Sequence, residues 1–547
     1  MGYIMTHAFT HYRQQQLVRF LAVLLSITFC ASLTAAEQSQ TLILVGSELS
    51  SCSSLNMQQC DKNTQIAGKA EHLFSVTAEK VKKITQQWPS TNQEVKSSTV
   101  KVLLAIKAKS STSITKPALL WHWRDIDNTQ LNSLSEQEYH FVMDMLEVPQ
   151  LSSQGQRLAE QVNLSLNNEP AINNILQFIT GSLKVANEQP SVLAITAASR
   201  DPYAAADFTQ GLLSTASVNS QWLALTPALV KAITTNTCEK LPQYRQSEMR
   251  LYNREAIYPD RIQAENALCS NGVNSLVKLI NNSTGVIFNN GEQDLTRSVL
   301  FDENNQAYPW TKALQTRPVV IGSGAGAAIQ SGGKNTSGNI ATITKGSSLL
   351  ALQADINDSS MFNLAGGLAT FNYGMIDTHF SEQNRTLRLA TVLDKTQQKF
   401  GFGIDEATAL VVIKSSTGNL MTVIGKSGVV YLKAKGNQHY NYSYWPAGSV
   451  IDIANENFTL SQRSINKALA SIKIPALPLQ RFGSILTNAK LRSLIQAMCL
   501  SQEQSTVAQQ DQFILSLSVQ ANTAYHRINK DQYGCAISHL ELAVSTF

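Results

Sequence analysis

The fold of this chain is decided by Val319-Val320-Ile321-Gly322-Ser323-Gly324-Ala325-Gly326-Ala327-Ala328. The three β-branched residues at its start predict a buried strand, and the small residues after them predict a sharp turn that opens into a helix. A run of glycine, serine and alanine is typical of a backbone that passes close to another group. The stretch therefore predicts a strand, a tight turn and a helix N-terminus.

Three glycines in this stretch have the spacing of a nucleophile elbow. Gly322, Gly324 and Gly326 match the frame G-x-S-x-G, in which a strained turn holds a serine hydroxyl above a sheet. Here Gly324 stands at the serine position, so the frame is present and the nucleophile is absent. The neighbouring Ser323 is an alternative nucleophile, although we expect its side chain to point elsewhere. A second interpretation is that the glycines serve close packing alone.

Length and composition predict a globular protein with a large core. The chain has 547 residues, of which 43% are hydrophobic and 15% are charged, and this length suits one large decorated domain or two. The formal net charge is only +5, and two of the basic residues lie in the N-terminal 36 residues. This charge is too weak to indicate nucleic acid as a partner.

Residues 1–36 are predicted to be a secretory signal peptide. Arg13 and Arg19 precede an apolar run from Phe20 to Leu33, and Thr34-Ala35-Ala36 offers small residues for cleavage. An uncleaved membrane anchor is the alternative, but the run is shorter than the roughly 20 residues that a span needs. We therefore expect a periplasmic or extracellular protein that has no membrane contact after cleavage.

The cysteines predict disulfides. Cys30 leaves with the signal peptide, and the remaining six form an even set in an exported chain. Their spacing favours three sequence-local pairs, with free buried thiols as the alternative: Cys52 with Cys60, Cys238 with Cys269, and Cys499 with Cys535. Other connectivities are open to six cysteines, so this pairing is a preference.

Apolar strands and helical patterns alternate along the chain. The predicted strands are Thr41–Gly46, Val192–Thr196, Trp222–Leu225, Gly285–Phe288, Val319–Ile321 and Thr408–Ile413. This alternation predicts an α/β fold with a mostly parallel sheet that helices cover on both faces. Ligands bind such sheets at the carboxyl ends of the strands, where the loops after Phe288 and Ile321 open.

We divide the chain into five segments: the signal peptide 1–36, a first core strand and cysteine loop 37–61, a polar mixed α/β insertion 62–188, the α/β core 189–454, and a helical extension 455–547. Four local patterns are interpreted within them. Val100–Ile106 is predicted to be a strand, and Trp121 and Trp123 are predicted to be half-buried residues of another strand. Ser135 and Glu138 are predicted to form a capping box at the start of a helix. Met421–Ile424 and Val429–Lys433 are predicted to form a hairpin.

Four segments, in order, resemble cyanophycinase and its dipeptidase E relatives, a family of serine peptidases. Gly285–Gln293 is similar to G-I-F-F-x-G-G-D-Q, and the elbow is similar to G-T-S-A-G-A. Ile376–Phe380, with Arg385, Arg388 and Leu389, is similar to D-Q-H-F-x-x-R-x-R-x-x-R-L, and Gly403–Ala409 is similar to G-I-D-E-x-T-A. The resemblance covers about 190–440 and the first strand. It implies a flavodoxin-like fold related to class I glutamine amidotransferases.

The resemblance also implies roles for single residues. His379 matches the family's general base, and Glu406 matches the carboxylate that orients it. Gln293 matches a substrate-binding glutamine. Arg385 and Arg388 match motif arginines whose guanidinium groups suit the carboxylates of an aspartyl polymer, and Asp377 lies in the same motif. Gly322, Ala325 and Gly326 match the elbow and its oxyanion-binding backbone.

The departures from the family pattern are concentrated at the site. Gly324 replaces the nucleophile, and Asn290 and Glu292 replace Gly and Asp of the glutamine segment. Thr378 stands where the motif has Gln, and Gln383 where it has the first Arg. Removal of a triad serine leaves only the residual catalysis of the oxyanion hole and of binding. The sequence therefore predicts a pseudoenzyme.

Three hypotheses follow. The first is a cyanophycinase-like protein without catalysis, whose cleft binds β-aspartyl or acidic peptides; relatives hydrolyse the β-aspartyl-arginine links of cyanophycin or aspartyl dipeptides. The second is a working hydrolase that uses Ser323, another hydroxyl or a water held by His379. The third is a non-catalytic scaffold that acts through its insertion or its C-terminal tail, with an idle cleft. Without the resemblance, His379 would be interpreted as a structural histidine, and Arg385 and Arg388 as a solvated charge pair.

We expect no cofactor and no metal. The nine histidines are scattered, and the chain has no H-E-x-x-H motif or paired Cys/His spacing. A homodimer is left open as the assembly.

Overall fold

The computed structural model describes residues 39–61, 65–110, 112–353, 361–472, 474–475 and 484–546. The predicted signal peptide and Cys30 lie outside these residues.

The strands, numbered in chain order, are β1 Gln40–Val45, β2 Leu73–Phe74, β3 Ile114–Thr115, β4 Glu147–Val148, β5 Ser191–Ile195, β6 Asn219–Trp222, β7 Gly285–Phe288, β8 Val319–Ser323, β9 Lys334–Asn335, β10 Gly338–Asn339, β11 Thr342–Ile343, β12 Phe362–Asn363, β13 Met375–Asp377, β14 Phe400–Ile404, β15 Thr408–Ser415, β16 Gly418–Gly425, β17 Gly428–Gly436, β18 His439–Pro446, β19 Val450–Ala454, β20 Asn457–Leu460, β21 Ser505–Gln510, β22 Phe513–Ser518, β23 Ala524–Arg527 and β24 Cys535–Thr546.

The α-helices are α1 Ala78–Gln86, α2 Gln93–Lys109, α3 Lys116–Ser133, α4 Glu136–Leu146, α5 Pro170–Ala186, α6 Pro202–Thr215, α7 Pro227–Thr234, α8 Leu241–Met249, α9 Arg254–Ile257, α10 Pro259–Asn282, α11 Gln293–Ser298, α12 Pro309–Gln315, α13 Ala325–Ala328, α14 Ser348–Gln353, α15 Thr386–Thr396, α16 Gln462–Asn466 and α17 Lys490–Ser501. Short 3-10 turns occur at Met57–Gln59, Leu164–Leu166 and Cys238–Lys240.

The first large sheet has nine strands in the order β20-β19-β16-β15-β1-β8-β7-β5-β6. The neighbours from β1 to β6 are parallel, whereas the neighbours from β1 outward to β20 are antiparallel. The chain therefore has the predicted α/β class, but the sheet is mixed and not mostly parallel. Short hairpin connections join the antiparallel pairs β15–β16 and β19–β20, whereas helices connect the successive parallel strands from β5 to β8.

Both faces of this sheet are buried along its central strand β1. Along β1, Leu42 and Leu44 pack into one apolar cluster with α7, α10 and α12, whereas Ile43 and Val45 pack into another with α5 and α6. This alternation follows from the period of two along a strand. The predicted coverage by helices on both faces is confirmed.

The second large sheet has eight strands, seven in the order β13-β14-β17-β18-β24-β22-β21, with β23 paired to β24. Only β13 and β14 among these neighbours are parallel. Its buried face packs against α15 and α17. The predicted hairpin around 425–428 is wrong, because β16 pairs in the first sheet and β17 pairs in the second.

The predicted helical extension from 455 is also corrected. Beyond α16 and α17, this segment supplies β20 to the first sheet and β21–β24 to the second. Its strands read as polar because one face is partly exposed, as in Phe513–Ser518, where buried and half-buried residues alternate. Alternation of this kind is typical of antiparallel sheets with one solvated face.

The predicted insertion 62–188 contains helices α1–α5 and a small sheet in the order β3-β2-β4, but α5 packs against the first sheet and belongs to the core. The predicted strand at Val100–Ile106 is wrong, because α2 buries Thr99, Val102, Leu103 and Ile106 at helical spacing. Trp121 and Trp123 lie on α3 and not on a strand. The predicted capping box of Ser135 and Glu138 is confirmed at the start of α4.

The three predicted disulfides are confirmed: Cys52–Cys60, Cys238–Cys269 and Cys499–Cys535. Across the ranges given above, no helix combines the length and the apolar character that a membrane span requires.

Candidate functional site

The elbow and His379 meet at the carboxyl end of β1. The backbone N–H of Gly324 donates to the carbonyl of Val45 over 2.9 Å, and the backbone N–H of His379 donates to the carbonyl of Gly46 over 2.6 Å. These acceptors are consecutive residues. The elbow at the end of β8 and the histidine after β13 are therefore held side by side, although 55 positions of chain lie between them.

The elbow is a tight turn from β8 into the four-residue helix α13. Gly324 has a φ of +52°, a left-handed conformation that glycine adopts without steric cost. An added Cβ at Gly326 would lie 2.3 Å from the carbonyl oxygen of Phe288, and one at Gly322 would lie 2.3 Å from the carbonyl oxygen of Gly326. The outer glycines are thus required by close backbone contacts.

Two parallel strands of the second sheet bring His379 and Glu406 together. His379 follows β13 and Glu406 follows the adjacent β14, and carboxyl ends of parallel strands lie at the same edge. Nδ1 of His379 lies 2.8 Å from Oε1 of Glu406. This hydrogen bond to His379 lowers the pKa of the Glu406 carboxyl below its ordinary value. The pair has the geometry that orients an imidazole for general base chemistry.

His379 and Glu406 line a cavity of about 590 Å³. Its wall also carries Asn290, Glu48, Glu382 and Glu169, together with the cations Lys426 and Arg492. Glu169 and Lys426 form an ion pair across its rim over 2.6 Å, and this contact joins α5 to the loop after β16. The carboxylates outnumber the cations among these charged lining residues.

Ser323 lines a different cavity, of about 300 Å³. Its hydroxyl donates to the carbonyl oxygen of Ser47 over 2.9 Å, and its side chain is buried. Ser199 lines the same smaller cavity and its hydroxyl accepts from the Asn289 amide over 2.7 Å. His379 is absent from the lining of this cavity. The geometry does not bring Ser323 into the cavity of the histidine.

The two motif arginines are engaged inside the protein. Arg388 is buried and binds the buried Asp377 with both Nε, at 2.9 Å, and Nη2. Arg385 donates to the carbonyl oxygen of Thr378 over 2.6 Å and lies 3.6 Å from Asp377. Burial and the neighbouring charge of Arg388 lower the pKa of Arg385 to about 10 against the pull of Asp377. Neither arginine lines the cavity of His379.

Gln293 begins α11 and is buried. Its amide nitrogen donates to the hydroxyl of Thr342, and that hydroxyl in turn donates to the carbonyl oxygen of Ala328 at the end of α13. Gln293 therefore supports α13 through Thr342 and does not line the cavity of His379. Its predicted contact with substrate stays a prediction.

The C-terminal segment contributes Arg492 to the site, and the sequence patterns did not predict this. Nη1 of Arg492 on α17 donates to Glu382 over 2.5 Å and to Asp405 over 2.8 Å, and its guanidinium lies 3.9 Å from the ring of Tyr533. Glu382 also accepts the backbone N–H of Glu406 over 3.0 Å. Burial opposes the charge of Arg492, but Asp405 and Glu382 outweigh it and raise its pKa. No motif signals this contact, because it joins segments that are distant in sequence.

Metal ligation has no candidate within the part of the chain that the structure describes. No group of three or more His, Cys, Asp or Glu residues there has the geometry to hold an ion.

The site can be compared with known proteins. No family model matches the chain. Over 179 residues it is 27% identical to cyanophycinases from Synechococcus elongatus and from Thermosynechococcus vestitus. The alignment covers 31% of this chain and 48% of each relative, so the chain spans about half the length of the curated relatives it matches.

A crystal structure of a peptidase from an acI-B1 Actinobacterium aligns with 52% of this chain and 92% of that chain, at 17% identity and a TM-score of 0.32. A TM-score of this size carries no argument about the fold. The sequence similarity to the two cyanophycinases supports a relationship between this chain and a cyanophycinase-like peptidase family.

Proposed function

We propose that this protein is an exported member of a cyanophycinase-like peptidase group, with a flavodoxin-like core, that binds β-aspartyl peptides without hydrolysing them. The similarity to cyanophycinases supports the ligand class. The order β6-β5-β7-β8 of the parallel strands, with β1 beside β8, supports the flavodoxin-like arrangement. Three disulfides support export, because disulfides persist in oxidising compartments.

One observation carries the proposal. The His379–Glu406 pair lies beside an elbow whose central residue, Gly324, has no side chain. A base and its orienting acid without an attacking hydroxyl can hold a peptide but cannot form an acyl-enzyme. Ser323 does not replace the hydroxyl in this arrangement, because its Oγ is engaged by Ser47 on the side of the smaller cavity.

The charges of the cavity indicate which chemical class of ligand it would bind. The motif arginines are held by Asp377 and by backbone carbonyls, so they do not provide the carboxylate-binding forks that the sequence suggested. The cavity wall instead carries four glutamates: Glu169, Glu382 and Glu406 are paired with Lys426, Arg492 and His379, whereas Glu48 accepts from the Ser50 hydroxyl over 3.4 Å. Carboxylates form strong charge-assisted hydrogen bonds with a guanidinium. We therefore propose a β-aspartyl peptide with a basic side chain, such as β-aspartyl-arginine.

Calorimetry of the mature chain with β-aspartyl-arginine tests this proposal, with α-aspartyl-arginine as the isomeric control. We expect binding of the β-linked isomer with no release of free arginine. Glu48→Gln should weaken binding, whereas Glu188→Gln, at an exposed glutamate that does not line this cavity, should not. Absence of binding by the folded protein would overturn the proposed ligand.

A second candidate is a hydrolase that uses a water held by His379. The retained pair with Glu406 favours it, because an oriented imidazole can take a proton from water. Release of arginine from β-aspartyl-arginine by the wild type, lost in His379→Ala and kept in Ser323→Ala, would establish this candidate and refute the non-catalytic one.

A further inference from the structure

The side chain of Asn290 occupies the place of the missing nucleophile. A Cβ built on Gly324 would lie 1.9 Å from Oδ1 of Asn290, 2.5 Å from its Cγ and 3.1 Å from its Cβ. The carboxamide oxygen and Cγ of Asn290 therefore lie where a side chain at position 324 would begin. A serine at 324 and the present conformation of Asn290 exclude each other.

The oxygen of the same carboxamide has a specific partner. The backbone N–H of Ala325 donates to Oδ1 of Asn290 over 3.1 Å. In a nucleophile elbow, the N–H of the residue after the nucleophile is a donor of the oxyanion hole. A carboxamide oxygen is chemically equivalent to the carbonyl oxygen of a peptide. Asn290 thus presents to this donor the kind of group that a substrate would present.

The loop that carries Asn290 is held firmly. The preceding Asn289 accepts the backbone N–H of Ala198 over 3.2 Å, and its amide donates to Ser199 and to the carbonyl oxygen of Asn290. On the other side, an added Cβ at Gly291 would lie 2.2 Å from the carbonyl oxygen of Ala198. Because both neighbours are fixed against the same segment, the position of Asn290 is built into the loop.

Asn290 also lies between the two cavities. It lines the cavity of about 590 Å³ that contains His379 and the cavity of about 300 Å³ that contains Ser323. Glu48 and Ser50 line both cavities as well, so the two cavities adjoin at these three residues.

We infer that Asn290 is an internal occupant of the elbow, which takes the space of the nucleophile and fills the position of a bound carbonyl oxygen. The inference rests on the proposed relationship of this elbow to that of a serine peptidase. It assigns the loss of catalysis to two positions, 290 and 324. Ligands of the His379 cavity then bind without entering the elbow. Gly324→Ser alone should leave the elbow closed, whereas Gly324→Ser with Asn290→Gly should open it.

A serine-reactive fluorophosphonate tests this directly. In the reaction the Oγ–P bond forms, the P–F bond breaks, fluoride leaves, and the hydroxyl proton passes to the imidazole of His379. We compare wild type, Asn290→Gly, Gly324→Ser and the double variant, and we measure the rate of labelling at position 324 by mass spectrometry. In the double variant the backbone N–H of Ala325 is free to bind the phosphoryl oxygen, and the space of the Asn290 side chain is vacant. The double variant should therefore react about a hundredfold faster than Gly324→Ser. His379→Ala in the double background should abolish the difference.

Two results would overturn the inference: labelling of Gly324→Ser at the rate of the double variant, or no labelling of a folded double variant. Because Asn290→Gly adds backbone freedom, Asn290→Ala with Gly324→Ser is tested in parallel, and each protein is first shown to melt cooperatively. The labelling needs no β-aspartyl ligand. A failure of calorimetric binding would therefore refute the proposed function and leave this inference standing.

Discussion

Nδ1 of His379 and Oε1 of Glu406 are joined over 2.8 Å, and this contact lowers the pKa of Glu406. A carboxyl whose folded-state pKa is depressed stabilises the fold above its unfolded pKa, and the stabilisation is lost as pH falls through the folded value. Below about pH 4, the wild type should therefore lose this stabilisation. Glu406→Gln has no carboxyl group at this position, so its free energy of unfolding should not show this loss. Because the Glu406 side chain is 41% exposed, the difference should stay under about 1 kcal/mol.

Urea denaturation between about pH 6 and pH 3 measures this difference. Glu188→Gln, at an exposed position, is the control and should keep a constant offset from wild type. A constant offset for Glu406→Gln as well would mean that ionisation of Glu406 contributes no pH-dependent stability.

The buried pair of Asp377 and Arg388 gives a larger effect at the same scale. Both side chains are buried, with exposures of 1% and 3%. Asp377→Asn leaves a buried guanidinium without its counter-charge and should cost about 3–5 kcal/mol. Removal of both charges in Asp377→Asn with Arg388→Met should cost less, since the buried guanidinium of Arg388 is then removed as well, while the charge of Arg385, 3.6 Å from Asp377, remains in both variants. Denaturation of wild type, of the single variants Asp377→Asn and Arg388→Met, and of the double variant gives the coupling energy. Additive losses would show that the pair is not a coupled unit.

At the scale of elements, the elbow depends on glycines for backbone contact. An added methyl at Gly326 would lie 2.3 Å from the carbonyl oxygen of Phe288. Gly326→Ala should therefore lower the free energy of unfolding by about 2–3 kcal/mol, which is measured by thermal denaturation. Gly181 is the matched control, because it lies inside α5 with no atom within 4 Å of an added Cβ. Gly181→Ala should raise stability by up to about 1 kcal/mol. Equal shifts for the two variants would contradict the close contact at the elbow.

The elements that could be predicted from the sequence are those with a self-contained signal. Buried parallel strands such as Val319–Ser323 are continuous apolar runs, and the capping box of Ser135 and Glu138 is a local hydrogen-bond pattern. By contrast, Val100–Ile106 contains the alternation Val-Lys-Val, which is typical of a strand, and only packing of α2 against α3 decides for a helix. In the His379 cavity, His379, Glu406 and Asn290 lie in the motif segments, whereas Glu48, Glu169, Lys426 and Arg492 lie outside them. The orientation of Arg388 into the interior could not be predicted from the sequence, because its contact with Asp377 depends on tertiary packing.

For the molecule as a whole, the site depends on contacts between distant segments. Arg492 lies 110 positions from Glu382 and 87 from Asp405, yet it binds both. No local pattern encodes such a contact, and a segment interpreted as a helical extension offered no reason to expect it. The disulfide between Cys499 and Cys535 joins α17, which carries Arg492, to β24 of the second sheet. The C-terminal segment is therefore a structural part of the cavity of His379.

This integration predicts that one substitution in the C-terminal segment affects both stability and the cavity. Arg492→Met leaves the fully buried Asp405 and the adjacent Glu382 without their cation, which should cost about 3–5 kcal/mol. Because Glu382 also accepts the backbone N–H of Glu406, the variant should weaken binding of β-aspartyl-arginine beyond the effect of reduced stability. Arg463→Met, at an exposed position on α16, should change stability by less than about 0.5 kcal/mol. Arg492→Lys keeps the charge without the planar fork and should recover part of the loss. If denaturation and calorimetry find Arg492→Met indistinguishable from Arg463→Met, the C-terminal segment does not support the cavity, and the site belongs to the two parallel strand ends alone.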